Sequence, residues 1–287
     1  MKIGIGLPAT HADVDGPRIL DWAATADRGP FSSIGIVDRL VYPNFEPLVT
    51  LAAAAAVTTR VRLMTAILLG PLRTPGVMAK EAASIDAISG GRLTLGLGVG
   101  SRQDDFAVAP AEFRGRGKRF EAQLELMKRV WSGQPLSEDV GPVGPAPARP
   151  GGPELLIGGR SEAAVKRAGR MADGYLASPY EPSGVPPLYR MAEEAWQAAE
   201  KPGRPRLVGT LFFSLGAGAA EAGDAYIHHY YGWRGAAAEQ LARSVLFTEE
   251  KVREAIRGYA DVGMDELLLL PCKSDLDQVD RLADIVA

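Results

Sequence analysis

Segments typical of strands and segments typical of helices alternate along this chain from one end to the other. Short runs rich in leucine or β-branched residues predict eight strands, at residues 2–8, 31–38, 61–69, 92–100, 154–158, 174–178, 206–215 and 266–271. Amphipathic stretches predict helices at residues 16–28, 46–58, 75–88, 113–131, 162–172, 185–200, within 219–262, and at 276–286. This alternation implies parallel strands joined by crossover helices, and eight such units fit a closed barrel better than an open sheet. The sequence therefore predicts one α/β domain over residues 1–287, a (β/α)8 or TIM barrel.

A stretch rich in proline and glycine, residues 133–153, interrupts the alternation after the fourth predicted helix. Because predicted barrel strands continue beyond it, we interpret this stretch as an insertion into the barrel and not as a domain linker. We expect the insertion to lie over the barrel mouth.

Composition limits the classes of function. The net charge is −3 and no dense run of lysine or arginine occurs, which argues against a nucleic-acid partner. No segment approaches the roughly 18 apolar residues of a membrane span, and the apolar start of the chain is too short for a signal peptide. The only cysteine is Cys272, so no internal disulfide or cysteine-based zinc site is expected. We expect a cytoplasmic protein without a metal, in which His228 and His229 form a surface pair.

The active face of a parallel barrel is built from the carboxyl ends of its strands and the loops that follow them. This rule selects candidate positions before any family is considered. The candidates are His11, Asp38, Arg39 and Cys272, together with residues 68–73, 100–105, 158–161 and 178–180.

The strongest candidate is the turn formed by Gly158, Gly159, Arg160 and Ser161, where a strand runs into a helix. Glycines allow the backbone to approach an anion, and the free N–H groups at a helix start favour negative charge. Arg160 and the Ser161 hydroxyl would add contacts to a phosphate. The alternative is that Ser161 is only an N-cap and the glycines only form a tight turn.

Two glycines of the fourth predicted strand, Gly98 and Gly100, are followed by no helix, so the pattern is not a dinucleotide fingerprint. We interpret their bare backbone as room for a flat ring across the barrel mouth. The alternative is that small residues fit the interior layers of the barrel.

Asp38 and Arg39 follow the second predicted strand, where a catalytic pair would stand. Arginine does not act as a base at ordinary pH, so we expect Arg39 to stabilise negative charge electrostatically. The alternative is that Arg39 forms an ion pair with Asp38 or Glu46 at the rim of the barrel.

Three segments together, residues 77–100, 114–131 and 156–164, resemble the bacterial luciferase-like monooxygenase family. The resemblance implies a barrel that binds FMN or, alternatively, the deazaflavin coenzyme F420, with its phosphate at Gly158–Ser161. It also implies a bulge at Ala66, Ile67 and Leu68, often with a cis peptide, that backs the cofactor ring beside Gly98, Gly100 and Ser101. Two departures argue against the sugar-phosphate dehydrogenase branch: Arg39 replaces a frequent histidine, and Ser101 replaces that branch's glutamate.

The resemblance leaves three functions open. The first is oxygenation of a small organic substrate with FMNH2 and O2, served by a separate flavin reductase. The second is hydride transfer to or from C5 of F420, by a reductase or dehydrogenase. The third is a non-catalytic flavin-binding barrel. The resemblance also implies a homodimer packed through the second and third helices, where residues 51–57 offer a small apolar face. The alternative for those residues is packing against the barrel.

Overall fold

The computed structural model describes residues 1–178 and 181–287; Pro179 and Tyr180, part of the segment selected after the sixth strand, lie outside the described residues. Within the described residues, parallel strands form one sheet in the order β3-β2-β1-β9-β8-β7-β6-β5-β4. Strand β3 also pairs with β5, and this pairing closes the sheet into a barrel. The strands are β1 (Lys2–Gly6), β2 (Ser33–Ile36), β3 (Arg62–Thr65), β4 (Leu68–Leu69), β5 (Leu93–Gly98), β6 (Glu154–Gly158), β7 (Gly174–Ala177), β8 (Arg206–Phe213) and β9 (Glu266–Pro271). Because β3 and β4 share one barrel position, the eight-stranded barrel is confirmed.

Helices cover the outside of the barrel. They are α1 (Gly16–Arg28), α2 (Pro47–Val57), α3 (Pro75–Ile88), α4 (Gln103–Val108), α5 (Arg116–Trp131), α6 (Glu162–Met171), α7 (Val185–Ala198), α8 (Ala219–Tyr231), α9 (Ala236–Arg243), α10 (Glu249–Asp261) and α11 (Asp277–Val286). The predicted helical region at 219–262 therefore contains three helices. In the part of the chain that the structure describes, no helix is both long and apolar enough to cross a membrane.

Side-chain capping explains where four of these helices begin. Asp15, Glu46, Ser161 and Thr248 each precede a helix and accept a hydrogen bond from a backbone N–H of its first turn. Those N–H groups have no partner inside the helix, so a side-chain oxygen at the cap stabilises the helix start by about 1 kcal/mol.

The apolar core has two parts because neighbouring residues of a strand point to opposite faces of the barrel wall. In β9, Leu267 and Leu269 belong to the large cluster between strands and helices. Leu268, between them, belongs to a second cluster with Met64 and Val208, contributed by other strands. This second cluster fills the barrel interior, so the barrel is a packed core and not a channel.

Buried ion pairs occupy the amino-terminal end of the barrel. Glu266 is fully buried; its Oε1 accepts hydrogen bonds from Ser32 Oγ at 2.5 Å and Ser33 Oγ at 2.6 Å, and its Oε2 pairs with Arg206. Arg206 also pairs with Glu154 at 2.5 Å. A buried carboxylate needs this many partners to offset its lost hydration. These ion pairs therefore fill the end of the barrel at which the strands start.

The insertion at residues 133–153 lies at the amino-terminal end of the barrel. The Ala148 N–H donates to Asp86 Oδ2 at 2.8 Å, near the end of α3, and Arg149 pairs with Asp173 at 2.8 Å, just before β7. The expectation that this segment covers the mouth is therefore wrong. A connection from a helix to the next strand must arrive where that strand starts, and strands start at the end opposite the mouth.

Candidate functional site

A cavity of about 410 Å³ opens at the carboxyl ends of the strands. Its floor and walls come from residues at the ends of β2, β5, β6, β7, β8 and β9 and from the junction of β3 and β4. Its roof comes from the end of α8 and the turn after it, with Tyr230, Tyr231, Trp233 and Arg234. Ten of the twelve site residues named from the sequence line this cavity; Leu68 and Gly98 do not.

The turn from Gly158 to Ser161, here called the anion cradle, forms one end of the cavity. Gly159 has φ +139°, and a Cβ there would lie 2.6 Å from the Cβ of Ala164, so both conformation and space require glycine. Ser161 Oγ accepts from the Ala164 N–H at 3.3 Å, so Ser161 is an N-cap. Because accepting this bond uses only a lone pair, the hydroxyl hydrogen can still donate to a ligand.

Tyr175 supports the anion cradle from below. Its hydroxyl donates to the carbonyl oxygen of Gly159 at 2.8 Å, and its ring is fully buried. Burial raises the pKa of this hydroxyl to about 12, so the group stays protonated and able to donate. Sequence reasoning missed Tyr175, which reads as an ordinary strand residue.

The peptide bond between Ala66 and Ile67 is cis, as the resemblance implied, and separates β3 from β4. Ile67 lies across two glycines: a Cβ on Gly98 would lie 2.1 Å from Ile67 Cδ1, and one on Gly158 would lie 3.0 Å from Ile67 Cγ2. Ala66 and Ile67 line the cavity, whereas the Leu68 side chain is fully buried in the outer core.

The expectation for Gly98 therefore needs correction. Its bare backbone accommodates the Ile67 side chain within the wall, as the packing alternative had it, and leaves no direct space for a ligand ring. Gly100, with φ +73°, and Ser101 do line the cavity. Position along β5 explains the difference, because the strand ends at Gly98 and only residues beyond its end reach the mouth.

Asp38 is paired with Arg73, a residue that sequence reasoning selected by position without giving it a role. Asp38 Oδ2 accepts from Arg73 Nη1 at 2.6 Å and from the Leu69 N–H at 2.8 Å, and Arg73 Nη2 also contacts Glu46 at 2.9 Å. Burial raises the pKa of the Asp38 carboxyl, while Arg73 and the Leu69 N–H act in the opposite direction. The alternative ion pair of Arg39 with Asp38 or Glu46 is wrong, because Arg73 takes both carboxylates.

Arg39 contacts two aromatic rings. Its guanidinium carbon is 4.6 Å from the ring centre of Tyr42 and 5.0 Å from that of Tyr230. Nη1 donates to the Tyr230 carbonyl at 3.0 Å and Nη2 to the Val41 carbonyl at 3.1 Å. The two ring centres are 4.8 Å apart, so the rings pack against each other on one side of the guanidinium. These ring contacts and the two hydrogen bonds hold the guanidinium at the cavity wall.

Asp105, which sequence reasoning also selected by position without giving it a role, holds the loop that carries Arg39. Its Oδ1 accepts from the Leu40 N–H at 3.0 Å and from the Val41 N–H at 2.7 Å, and its side chain is buried. Arg102, three residues earlier, stacks under Trp233 at 5.0 Å. The α4 helix thus ties the second-strand loop to the roof.

The remaining candidates lie away from the cavity. His11 stacks on Tyr226 with ring centres 5.0 Å apart, and burial lowers its pKa. Cys272 is buried, which raises the pKa of its thiol. His228 is exposed beside Asp224 and Glu239. Over residues 1–178 and 181–287, no group of three or more metal-ligating side chains occurs.

The cavity lining is strongly cationic. It contains five arginines, at positions 39, 102, 116, 160 and 234, and two carboxylates, Asp38 and Asp105. Both carboxylates already accept hydrogen bonds from protein groups. The field inside the cavity therefore favours an anionic ligand.

The fold and the site together define a (β/α)8-barrel protein with a cationic ligand cavity at its carboxyl-terminal face. The chain belongs to the luciferase-like monooxygenase family, which it matches over residues 1–270. That family includes flavin monooxygenases and F420-dependent dehydrogenases and reductases.

The similarity to individual proteins is weaker than the match to the family as a whole. An uncharacterized protein of Mycobacterium tuberculosis is 32% identical over 58% of this chain and 61% of its own length. The F420-dependent glucose-6-phosphate dehydrogenase of Kribbella flavida is 29% identical over 62% of this chain and 58% of its own length. The match thus spans less than two thirds of these relatives. The crystal structure of a monooxygenase from Streptomyces bottropensis shares the fold, with a TM-score of 0.80, 21% identity and coverage of 99% of this chain and 97% of that one.

Proposed function

We propose that this chain is an FMN-dependent monooxygenase that acts on a small organic substrate. The observation that carries the proposal is one cavity with an anion cradle at Gly158–Ser161, an apolar platform at Ile67 beside it, and an aromatic roof. The anion cradle would hold an anionic tail, Ile67 would contact a flat ring, and the aromatic roof would shield a substrate from water.

The residues present fit a flavin nucleotide. Gly159 and the start of α6 leave backbone N–H groups for a phosphate, and Arg160 and Ser161 add side-chain donors at the same end. Ile67, packed against Gly98 and Gly158, offers its aliphatic surface to a ring. Reduced FMN, when bound, would supply two electrons to dioxygen, and a separate flavin reductase would supply the reduced cofactor.

The protein's own contribution to the chemistry is positioning and electrostatics. Asp38 is engaged by Arg73 and Asp105 by the Leu40 and Val41 N–H groups, so neither carboxylate that lines the described cavity is available as a base. Arg39, held by contacts with two aromatic rings and by hydrogen bonds to two backbone carbonyls, places a positive charge at the cavity wall and would stabilise negative charge there. Tyr230, Tyr231 and Trp233 cover the mouth and limit access of water.

A second candidate is F420-dependent hydride transfer. The surplus of arginines in the cavity favours a cofactor of higher negative charge, and the Kribbella flavida relative is named as F420-dependent. Hydride transfer to an acceptor would need no oxygen and would use the same cradle and platform.

Cofactor titration tests the proposal. FMN and F420 are titrated separately by fluorescence against the wild type, Ser161→Ala and Thr248→Ala. Thr248 is the matched control, because it caps α10 by the same N-cap hydrogen bond and does not line the cavity. We expect FMN to bind and Ser161→Ala to weaken it roughly fivefold, the equivalent of one net hydrogen bond, while Thr248→Ala binds normally.

The outcomes separate the candidates. If F420 binds and FMN does not, the second candidate, F420-dependent hydride transfer, is favoured. Binding of neither cofactor, or equal affinity in both variants, would remove the anion cradle as a cofactor site. Substrate-dependent oxygen uptake by the loaded protein separates a monooxygenase from a non-catalytic flavin-binding barrel.

A further inference from the structure

Three arginines and three aromatic residues that contact one another form part of the cavity wall. Arg39 comes from the loop after β2, Arg102 from the loop before α4, and Tyr230, Tyr231, Trp233 and Arg234 from the roof. We call these six residues the arginine–aromatic wall. Each arginine faces an aromatic ring of the wall: Arg39 lies 5.0 Å from Tyr230, Arg102 5.0 Å from Trp233, and Arg234 5.9 Å from Tyr231.

Arg39 has more N–H bonds than its two hydrogen bonds to backbone carbonyls use. A guanidinium has five N–H bonds, and Arg39 uses two of them on the carbonyls of Tyr230 and Val41. Its Nε has no hydrogen-bond partner among the described residues, and it is buried with almost no surface open to the cavity. A ligand oxygen in the cavity could therefore accept from the second N–H bond of Nη1 or of Nη2, and not from Nε.

Arg102 repeats this arrangement. Its Nη2 pairs with Asp104, and its Nε is buried without a hydrogen-bond partner among the residues that the structure describes, since Asp105 Oδ2 lies 3.9 Å away. Because Nε is buried and Nη2 pairs with Asp104, a ligand beside the ring of Trp233 could accept from Nη1.

The positive charge of the wall is only partly neutralised. Counting the described residues, Arg102 has carboxylate partners within 4.0 Å, whereas Arg39 and Arg234 form no ion pair with any carboxylate. These two guanidinium groups therefore have no carboxylate of the described residues in direct contact.

We propose that the arginine–aromatic wall binds the substrate, and that the substrate is an organic acid with a planar aromatic body and a carboxylate. A carboxylate matches the edge of a guanidinium, because its two oxygens accept two parallel N–H bonds. The aromatic rings of the roof offer faces and edges on which a planar body stacks. A neutral substrate would leave the arginine charges without a counterion.

The position of Arg39 in the wall separates this residue from the cofactor phosphate. The anion cradle follows β6 and Arg39 follows β2, three strand positions apart around the barrel. A cofactor whose phosphate lies in the cradle would have its ring between the two. This inference rests on the proposed function, because it assigns the cradle to the cofactor and the wall to the substrate.

The test uses benzoate as the probe and benzamide as its neutral counterpart of the same shape. Isothermal titration measures both against the FMN-loaded protein and against the protein without cofactor. We expect benzoate to bind roughly 10-fold or more tighter than benzamide in both forms, as charge-assisted hydrogen bonds imply. Arg39→Gln should remove most of this preference and leave benzamide affinity unchanged. Arg253→Gln, which removes an exposed arginine paired with Glu249 on α10, should keep it.

Arg102→Gln provides a second variant if Arg39→Gln does not fold, as judged by its melting curve. Equal affinity of the wild type for benzoate and benzamide would overturn the inference, and so would a preference that survives both substitutions. Competition between FMN and benzoate would also overturn it, because the wall would then hold cofactor. Failure of FMN to bind would refute the proposed function alone, since benzoate binding to the cofactor-free protein is measured separately.

Discussion

Replacing Asp38 with asparagine decides whether this residue is structural or catalytic. Asparagine keeps one oxygen for the Leu69 N–H but removes the charge that faces Arg73. The side chain of Asp38 is 3% exposed and that of Arg73 is 18% exposed. Breaking a buried pair costs about 3–5 kcal/mol, and Arg73 retains Glu46 and some access to water, so we expect a loss of about 2 kcal/mol. For a chain of this size that corresponds to a melting temperature lower by about 4 °C.

The assay combines thermal unfolding with a turnover measurement on the folded, cofactor-loaded protein. Glu46→Gln is the matched control, because Glu46 pairs with the same arginine from a 44% exposed position and should cost less than about 1 kcal/mol. A structural role predicts lower stability and near-normal turnover for Asp38→Asn. An unchanged melting temperature together with a turnover reduced by about 100-fold would refute this reasoning and restore Asp38 as a catalytic residue.

Three further outcomes are expected. Burial tends to raise the pKa of Asp27, but three backbone N–H donors and a threonine hydroxyl hold it at about 2. The contribution of Asp27 to stability is therefore present above pH 3.8 and is lost as the pH falls towards 2. Asp27→Asn should make the stability less dependent on pH in that window, as measured by acid unfolding. Gly98→Ala should push Ile67 into the cavity, lowering stability by about 1–3 kcal/mol and weakening FMN binding, and normal FMN affinity would contradict the platform. We propose a homodimer through α2 and α3, where Val49 and Ile88 are 70% and 66% exposed; Val49→Asp should yield monomers in light scattering, and a monomeric wild type would contradict the dimer.

The barrel was predictable because strand and helix periodicities differ and alternate regularly. The third strand shows the limit of that method. Periodicity predicted one strand at residues 61–69, but the cis peptide at Ala66–Ile67 divides it into β3 and β4, and only the resemblance implied this feature. The position of the 133–153 insertion was predictable in principle, since the direction of every helix in a barrel determines the end at which it connects to the next strand.

The site was predictable where local chain geometry creates it and unpredictable where distant residues meet. Gly159 and Ser161 lie in one turn, so their spacing indicates an anion cradle without tertiary information. Arg73 and Asp38 are 35 positions apart, and Arg39 and Tyr230 are 191 apart, so no local pattern shows that they touch. The ion-pair alternative for Arg39 failed because a second arginine competes for the same carboxylates.

The position of the insertion has a practical consequence. Residues 133–153 contact the ends of helices and the starts of strands, on the far side of the barrel from the cavity. Gly141 and Gly144 lie in this segment with open space around them. A fluorescent domain or an immobilisation tag spliced between these glycines would point away from the mouth, so the protein could be attached to a surface or to a partner enzyme with its entrance unobstructed.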